Sequence, residues 1–179
     1  MTQWLSGTAL VTMLSLAAPT AAQPAPRTAP DRAKVLEAAR EVMQKARYAT
    51  LVTLGEDGHP QARVVDPSAP EAGLTVWIGT NAVTRKVGQV RRDPRVTLLY
   101  FEPASQAYVT ILGRAEVVTD PAEKSRWWKD EWAAFYKDRN RGDDYLLLRV
   151  KPTRLEITSE AHGLTNDPQT WLPVIIDLP

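Results

Sequence analysis

The chain is expected to be mainly β, an antiparallel barrel of six or seven short strands with flanking α-helices. Three observations predict this. From Tyr48 onward, apolar and β-branched residues come in short runs bounded by turn residues. Neighbouring runs are joined by brief polar connections such as Gly55–Pro60 (GEDGHP), which suit hairpins. Helical periodicity is confined to a few stretches, too few to supply the crossovers a parallel sheet needs.

The elements follow in order. Asp31 can cap a first helix running to about Lys45, with Val35, Leu36, Ala39, Val42, Met43 and Ala46 on one face. The pairs Glu37–Arg40 and Glu41–Lys45 suit its solvent side. Tyr48–Leu54 and Gln61–Asp66 read as the first hairpin, and Leu74–Gly79 as a third strand. A short helix then starts with Thr84 as its N-cap, because Val83, Val87 and Val90 fall on one stripe. Arg95–Phe101 and Ala107–Val118 are the next two strands. Asp120, Pro121 and Glu123 form a capping signature for a second long helix, expected to continue through Trp127, Trp128, Trp132, Phe135 and Tyr136. This aromatic stripe is expected to pack on the barrel or on a second subunit. Tyr145–Val150 and Arg154–Thr158 are read as separate strands with Lys151-Pro152 between them, and Leu164–Pro179 as irregular chain anchored by Trp171 and Val174–Ile176.

The length of 179 residues suits one domain, assigned to 31–179. A net charge of +1 implies no polyanionic partner, so nucleic-acid binding is not expected. The absence of cysteine excludes disulfides, thiol catalysis and Cys-ligated metal. The two histidines, His59 and His162, have no metal-ligand spacing, and no Gly-x-Ser-x-Gly or phosphate-loop motif occurs, so no catalytic or metal-binding side chain is nominated. Asp143-Asp144 reads as a solvated loop pair.

One local feature carries chemistry. Arg85 and Lys86 fall in the first turn of the short helix, where the macrodipole disfavours cations by about 0.3–1 kcal/mol. A bound anion would reverse that cost, since free amides, the Thr84 hydroxyl and two cations together make a phosphate site. On local physics alone, an exposed helix end with two solvated cations remains the alternative.

The order of motifs adds to this. GTNAVTRK followed by DPRVTLLYF, and then YVTILGRAEVVTDPAEKSRWW, resembles the pyridoxamine 5'-phosphate oxidase-like, FMN-binding split-barrel superfamily, and within it the general-stress-protein-like subgroup. The resemblance runs from about Tyr48 to Trp171. It implies a split barrel, FMN as cofactor and a homodimer with the flavin between protomers. It nominates Arg63, Arg85 and Lys86 for the phosphate, Val64 and Val65 beside the flavin ring, and Gly79 and Thr80 at the family's aromatic–Thr pair. Gly79 departs from the aromatic, and Tyr108 stands where the vitamin-synthesising enzymes carry a flavin-contacting Gln. Those enzymes hold their substrate with a C-terminal Arg-x-His, which is absent from GLTNDPQTWLPVIIDLP, so pyridoxamine phosphate oxidation is not expected. The implied activity is FMN-dependent oxidoreduction of a small molecule. A non-catalytic flavin or tetrapyrrole carrier, a stress protein without turnover and a deazaflavin-dependent reductase are the alternatives.

The first 26 residues carry no charged side chain, and Leu5–Ala18 is apolar. With Pro19 ending that run and small residues at Thr20, Ala21 and Ala22, residues 1–22 resemble a secretory signal peptide, although no cation precedes the apolar run. Residues 23–30 (QPAPRTAP) read as a Pro-rich linker. The run is too short to span a bilayer comfortably, so a periplasmic or secreted protein without stable membrane insertion is expected. N-terminal sequencing from the native host should find a mature start near Gln23, and an intact Met1 on a cytosolic protein would refute this localisation.

Overall fold

The computed structural model describes residues 31–179. The signal-peptide and linker assignments therefore lie outside the described residues. Helix α1 (Arg32–Ala46) starts on Asp31, whose carboxylate accepts from the Ala33 amide at 3.0 Å. Seven strands form, the first five in the expected order: β1 (Ala49–Leu54), β2 (Pro60–Val65), β3 (Val76–Asn81), β4 (Arg95–Glu102), β5 (Ala107–Val118), β6 (Tyr145–Thr158) and β7 (Val174–Asp177). Helix α2 (Arg85–Arg92) lies between β3 and β4, and α3 (Pro121–Arg126) follows β5.

All pairings are antiparallel, in the order β2-β1-β4-β5-β6-β3, with β7 added to β6. The sheet curls around a core in which Val35, Ala39, Val42 and Met43 of α1 meet Leu51, Leu98, Tyr100, Val109 and Ile111. Its two ends meet at a single bridge, Pro67 to Ile78, reinforced by Ser68 N–H to the Trp77 carbonyl at 2.7 Å. Before Pro67, β2 pairs with β1 alone among the described residues, so the barrel is split along the β2–β3 side. No helix among the described residues is long and apolar enough to cross a membrane.

Three expectations are corrected. The chain at Lys151-Pro152 does not end a strand. β6 is continuous, and the extra residue forms a bulge opposite Leu112 and Gly113. Proline, which has no N–H to give, sits there at little cost, and the Thr153 hydroxyl donates to the Leu112 carbonyl at 3.2 Å. The bulge lets one strand pair with β3 through Tyr145–Val150 and with β7 through Arg154–Ile157. That second pairing turns part of the supposedly irregular C-terminus into β7.

The third correction is the tryptophan helix, which ends at Arg126; a 3-10 turn, Asp130–Ala134, follows. The expected cap is present, with Asp120 accepting from Ala122 and Glu123 amides at 3.0 Å. Tertiary packing then overrides helix continuation. Trp127 stacks on Trp77 at 5.5 Å, Trp128 meets Tyr145 edge-on at 5.1 Å, and Lys129 reaches back to Asp66 at 2.9 Å. The aromatics build a second core with Tyr136 and Leu147 on the outer face of β3 and β6.

Gly113 tests the bulge. A Cβ there would collide with the Lys151 carbonyl oxygen, backbone that cannot swing away. Gly113→Ala should lower the unfolding free energy by about 1–3 kcal/mol, measured by denaturant titration. An unchanged midpoint would show that the bulge can relax.

Candidate functional site

The split side of the barrel gathers most of the nominated residues. Successive residues of β2 point to opposite faces. Arg63 pairs with Leu51 in register and shares its inward face, toward the gap that α2 plugs. Its guanidinium is held by neutral groups: Nη1 donates to Thr53 Oγ1 at 2.5 Å and more weakly to the Leu51 carbonyl at 3.4 Å, and Nη2 donates to Gln89 Oε1 at 3.1 Å.

Helix α2 brings Lys86 and Arg85 to the same place. Burial, and then Arg63, push the Lys86 ammonium below its ordinary value. Burial, and then Arg85, do the same to Arg63, which stays charged. Arg63 is thus within electrostatic reach of both Arg85 and Lys86. Among the described residues, Arg85 and Lys86 make no hydrogen bond or ion pair, and Arg63 has no carboxylate partner. The backbone N–H groups of Arg85 and Lys86 find no acceptor among the described residues either. Two half-buried cations, Arg63 and Lys86, and the exposed Arg85 beside open helix amides fit a phosphate by the chemistry of their donors.

The Thr84 hydroxyl takes a different part from the one expected. Thr84 is the N-cap residue, but its hydroxyl bonds the Asn81 carbonyl at 2.8 Å and lies 3.0 Å from Thr80 Oγ1, without capping the helix. Thr80, 2% exposed, thereby fixes the turn into α2. Val83, expected on the apolar stripe, is instead exposed, because this turn ends before the helix begins. Val87, Gln89 and Val90 form the buried face.

The remaining nominees separate. Val65 belongs to the main core, so its side chain is committed to packing and only its backbone can line a ligand. Val64, on the other face, is 72% exposed. Gly79 points outward on β3, and a Cβ there would lie 2.5 Å from the Trp132 ring. The Trp132 ring therefore fills the space into which a side chain at position 79 would project. Tyr108, half-buried, pairs in register with Phe101.

Sequence reasoning missed the side chains that hold Arg63, Thr53 and Gln89, and Gln61, which in turn accepts from Gln89. The available signal was Gln89, a polar residue on the side of α2 that carries Val87 and Val90. A groove of about 630 Å³ runs past Thr84, Arg85, Gln61 and Gln89. No metal-holding cluster of His, Cys, Asp or Glu occurs among the described residues. His162 bridges Ser159 Oγ at 2.8 Å and Glu41 Oε2 at 3.0 Å. This Ser–His–Glu series is structural, because Ser159 is 1% exposed and no nucleophile can be reached there. His59 is an exposed turn residue 3.2 Å from Asp57.

Comparison with known proteins gives consistent matches. The family model described as pyridoxamine 5'-phosphate oxidase matches residues 35–159, well over half of the chain. A pyridoxine/pyridoxamine 5'-phosphate oxidase of Cupriavidus pinatubonensis is 33% identical over 59% of this chain and 45% of its own length. One from Pseudomonas paraeruginosa is 37% identical over 39% of this chain and 32% of its own. The chain thus spans less than half the length of the curated relatives it matches. Among solved structures, a Clostridium acetobutylicum protein related to general stress protein 26 aligns with TM-score 0.67 at 19% identity, covering 80% of this chain and 94% of that one. General stress protein 26 of Bacillus anthracis aligns with TM-score 0.65 at 17% identity, over 80% and 98%. A pyridoxamine 5'-phosphate oxidase-related, FMN binding protein of Nostoc punctiforme aligns with TM-score 0.58 at 16% identity, over 84% and 98%. At these identities the structural likenesses establish the split-barrel fold.

Proposed function

The chain belongs to the pyridoxamine 5'-phosphate oxidase family, and on that premise we propose that it binds FMN and acts as an FMN-dependent oxidoreductase on a small molecule. The observation that carries this reading is the grouping of half-buried Arg63 and Lys86 with exposed Arg85, none of which has a carboxylate partner among the described residues. The FMN phosphate would neutralise it. Arg63 and Arg85 offer forked donors, Lys86 a point charge, and the first amides of α2 further N–H groups. The backbone of Val64 and Val65 continues β2 beyond Arg63, the exposed Val64 side chain lying on the opposite face of the strand.

When bound, the flavin supplies the redox chemistry, transferring a hydride or electrons without a protein nucleophile. The protein's part is to anchor the phosphate and orient the ring.

The FMN reading is tested by ligand titration. Arg85→Ala and Lys86→Ala should each weaken FMN binding by about 1.5–3 kcal/mol, the scale of a charge-assisted hydrogen bond, and riboflavin binding much less. Equal losses for both ligands would sink the phosphate assignment. Turnover of bound flavin with NAD(P)H and an acceptor separates an oxidoreductase from a carrier. A native mass spectrum separates FMN from a deazaflavin.

We also propose a homodimer built on the outer face of β2, β1, β4 and β5. One row across that face runs Val64, Thr50, Leu99 and Thr110, and the next runs Val52, Thr97 and Leu112, lining a groove of about 510 Å³. Val64, Leu99 and Phe101 are exposed there, and an apolar sheet face of this kind favours a self-complementary partner. Sedimentation should show a dimer at micromolar concentration, and Leu99→Lys should yield a folded monomer. A wild-type monomer loaded with flavin would refute the shared interface.

A further inference from the structure

Gln89 stands out in a search of the buried polar groups. It is 6% exposed, between Val87 and Val90 on the inner side of α2. A primary amide there costs free energy unless its atoms are bonded. Its Oε1 accepts from Thr53 Oγ1 at 2.6 Å and from Arg63 Nη2 at 3.1 Å, and its Nε2 donates to Gln61 Oε1 at 2.8 Å. Thr53, 1% exposed, accepts from Arg63 Nη1 with the same hydroxyl that donates to Gln89. The guanidinium on β2 is thus tied to α2 through a residue one helical turn beyond Lys86.

The shell is notable for what it lacks. Every protein acceptor on Arg63 is neutral. A glutamate at position 89 would be nearly isosteric and would accept from the same two donors more strongly. It would also cancel one of the three charges. An amide holds the guanidinium in place and leaves its charge for a ligand.

We infer that Gln89 is a positioning residue of the anion site: it fixes Arg63 relative to Lys86 and, by being neutral, makes the site select phosphate-bearing ligands over their dephosphorylated counterparts. This rests on the phosphate reading above and names the residue that sets its selectivity. Among the described residues neither Arg85 nor Lys86 has a comparable tether, so the precision of the site comes from Arg63.

The test is a fluorescence titration of wild type and variants with FMN and with riboflavin, alongside thermal unfolding of the ligand-free proteins. Gln89→Glu should keep or raise the melting temperature, because it gives the half-buried Arg63 a carboxylate partner while the Gln61 amide can turn to donate to it. Its FMN affinity should fall at least about tenfold, and its riboflavin affinity should stay near that of wild type. Thr53→Val removes the hydroxyl bridging Arg63 and Gln89 without adding charge, and should lower FMN affinity several-fold with riboflavin unchanged. A folded Gln89→Glu that keeps the wild-type ratio of FMN to riboflavin affinity would overturn the inference and leave the phosphate reading standing. Should Gln89→Glu not fold, Thr53→Val decides by the same criterion. A wild-type protein that binds FMN no tighter than riboflavin would overturn the phosphate reading, and the inference with it.

Discussion

The structure depends on one constraint: the curled sheet closes through a single bridge between Pro67 and Ile78. Before that bridge, β2 leaves the partner that would complete the barrel. Its inward-facing positions then border a gap that a wholly apolar core cannot seal. Arg63 and Gln61 occupy those positions, and α2 plugs the opening with Gln89 and Val87. Buried polar groups must be bonded, so the gap imposes a connected network, and the network imposes the place of the guanidinium. The cationic cluster follows from how the barrel fails to close.

The second core answers to the same seam. Lys129 donates to the Pro67 carbonyl at 3.2 Å and pairs with Asp66, while Trp127 lies on Trp77 directly across the bridge. The segment between β5 and β6 clamps the point where the sheet ends meet. Lys124 adds a buried tie, donating to the Gly142 carbonyl at 2.8 Å. These anchors explain why a sequence with a good helix start leaves the helix after Arg126. One continuing helix would not bring Trp127 onto Trp77 and Lys129 onto Asp66 together.

The fold was legible where local signals agreed with tertiary demands. Turn chemistry at Gly55–Pro60, alternation in β4 and β5, and the Asp31 and Asp120 caps all reappear in the structure. What was not legible depended on partners distant in sequence. Pro152 reads as a breaker until Gly113 is seen opposite it, and β7 looks irregular until β6 offers an edge. For the site, Arg85 and Lys86 were legible from charge and helix position, and Arg63, on a strand, only through the resemblance to the family. Gln89 was not, since its worth lies in Thr53 and Gln61, 36 and 28 residues away. Val65 was nominated with Val64 although strand alternation sends the two side chains to opposite faces, one of them into the core.

Gly79 and Trp132 share one volume, because the ring occupies the space into which any side chain at position 79 would project. Neither position is free to vary alone. A larger residue at 79 must evict the indole, and loss of the indole uncovers bare backbone beside Thr80. The two positions are therefore sterically coupled, so that a side chain at 79 is accommodated only if the residue at 132 gives up the volume its ring now fills.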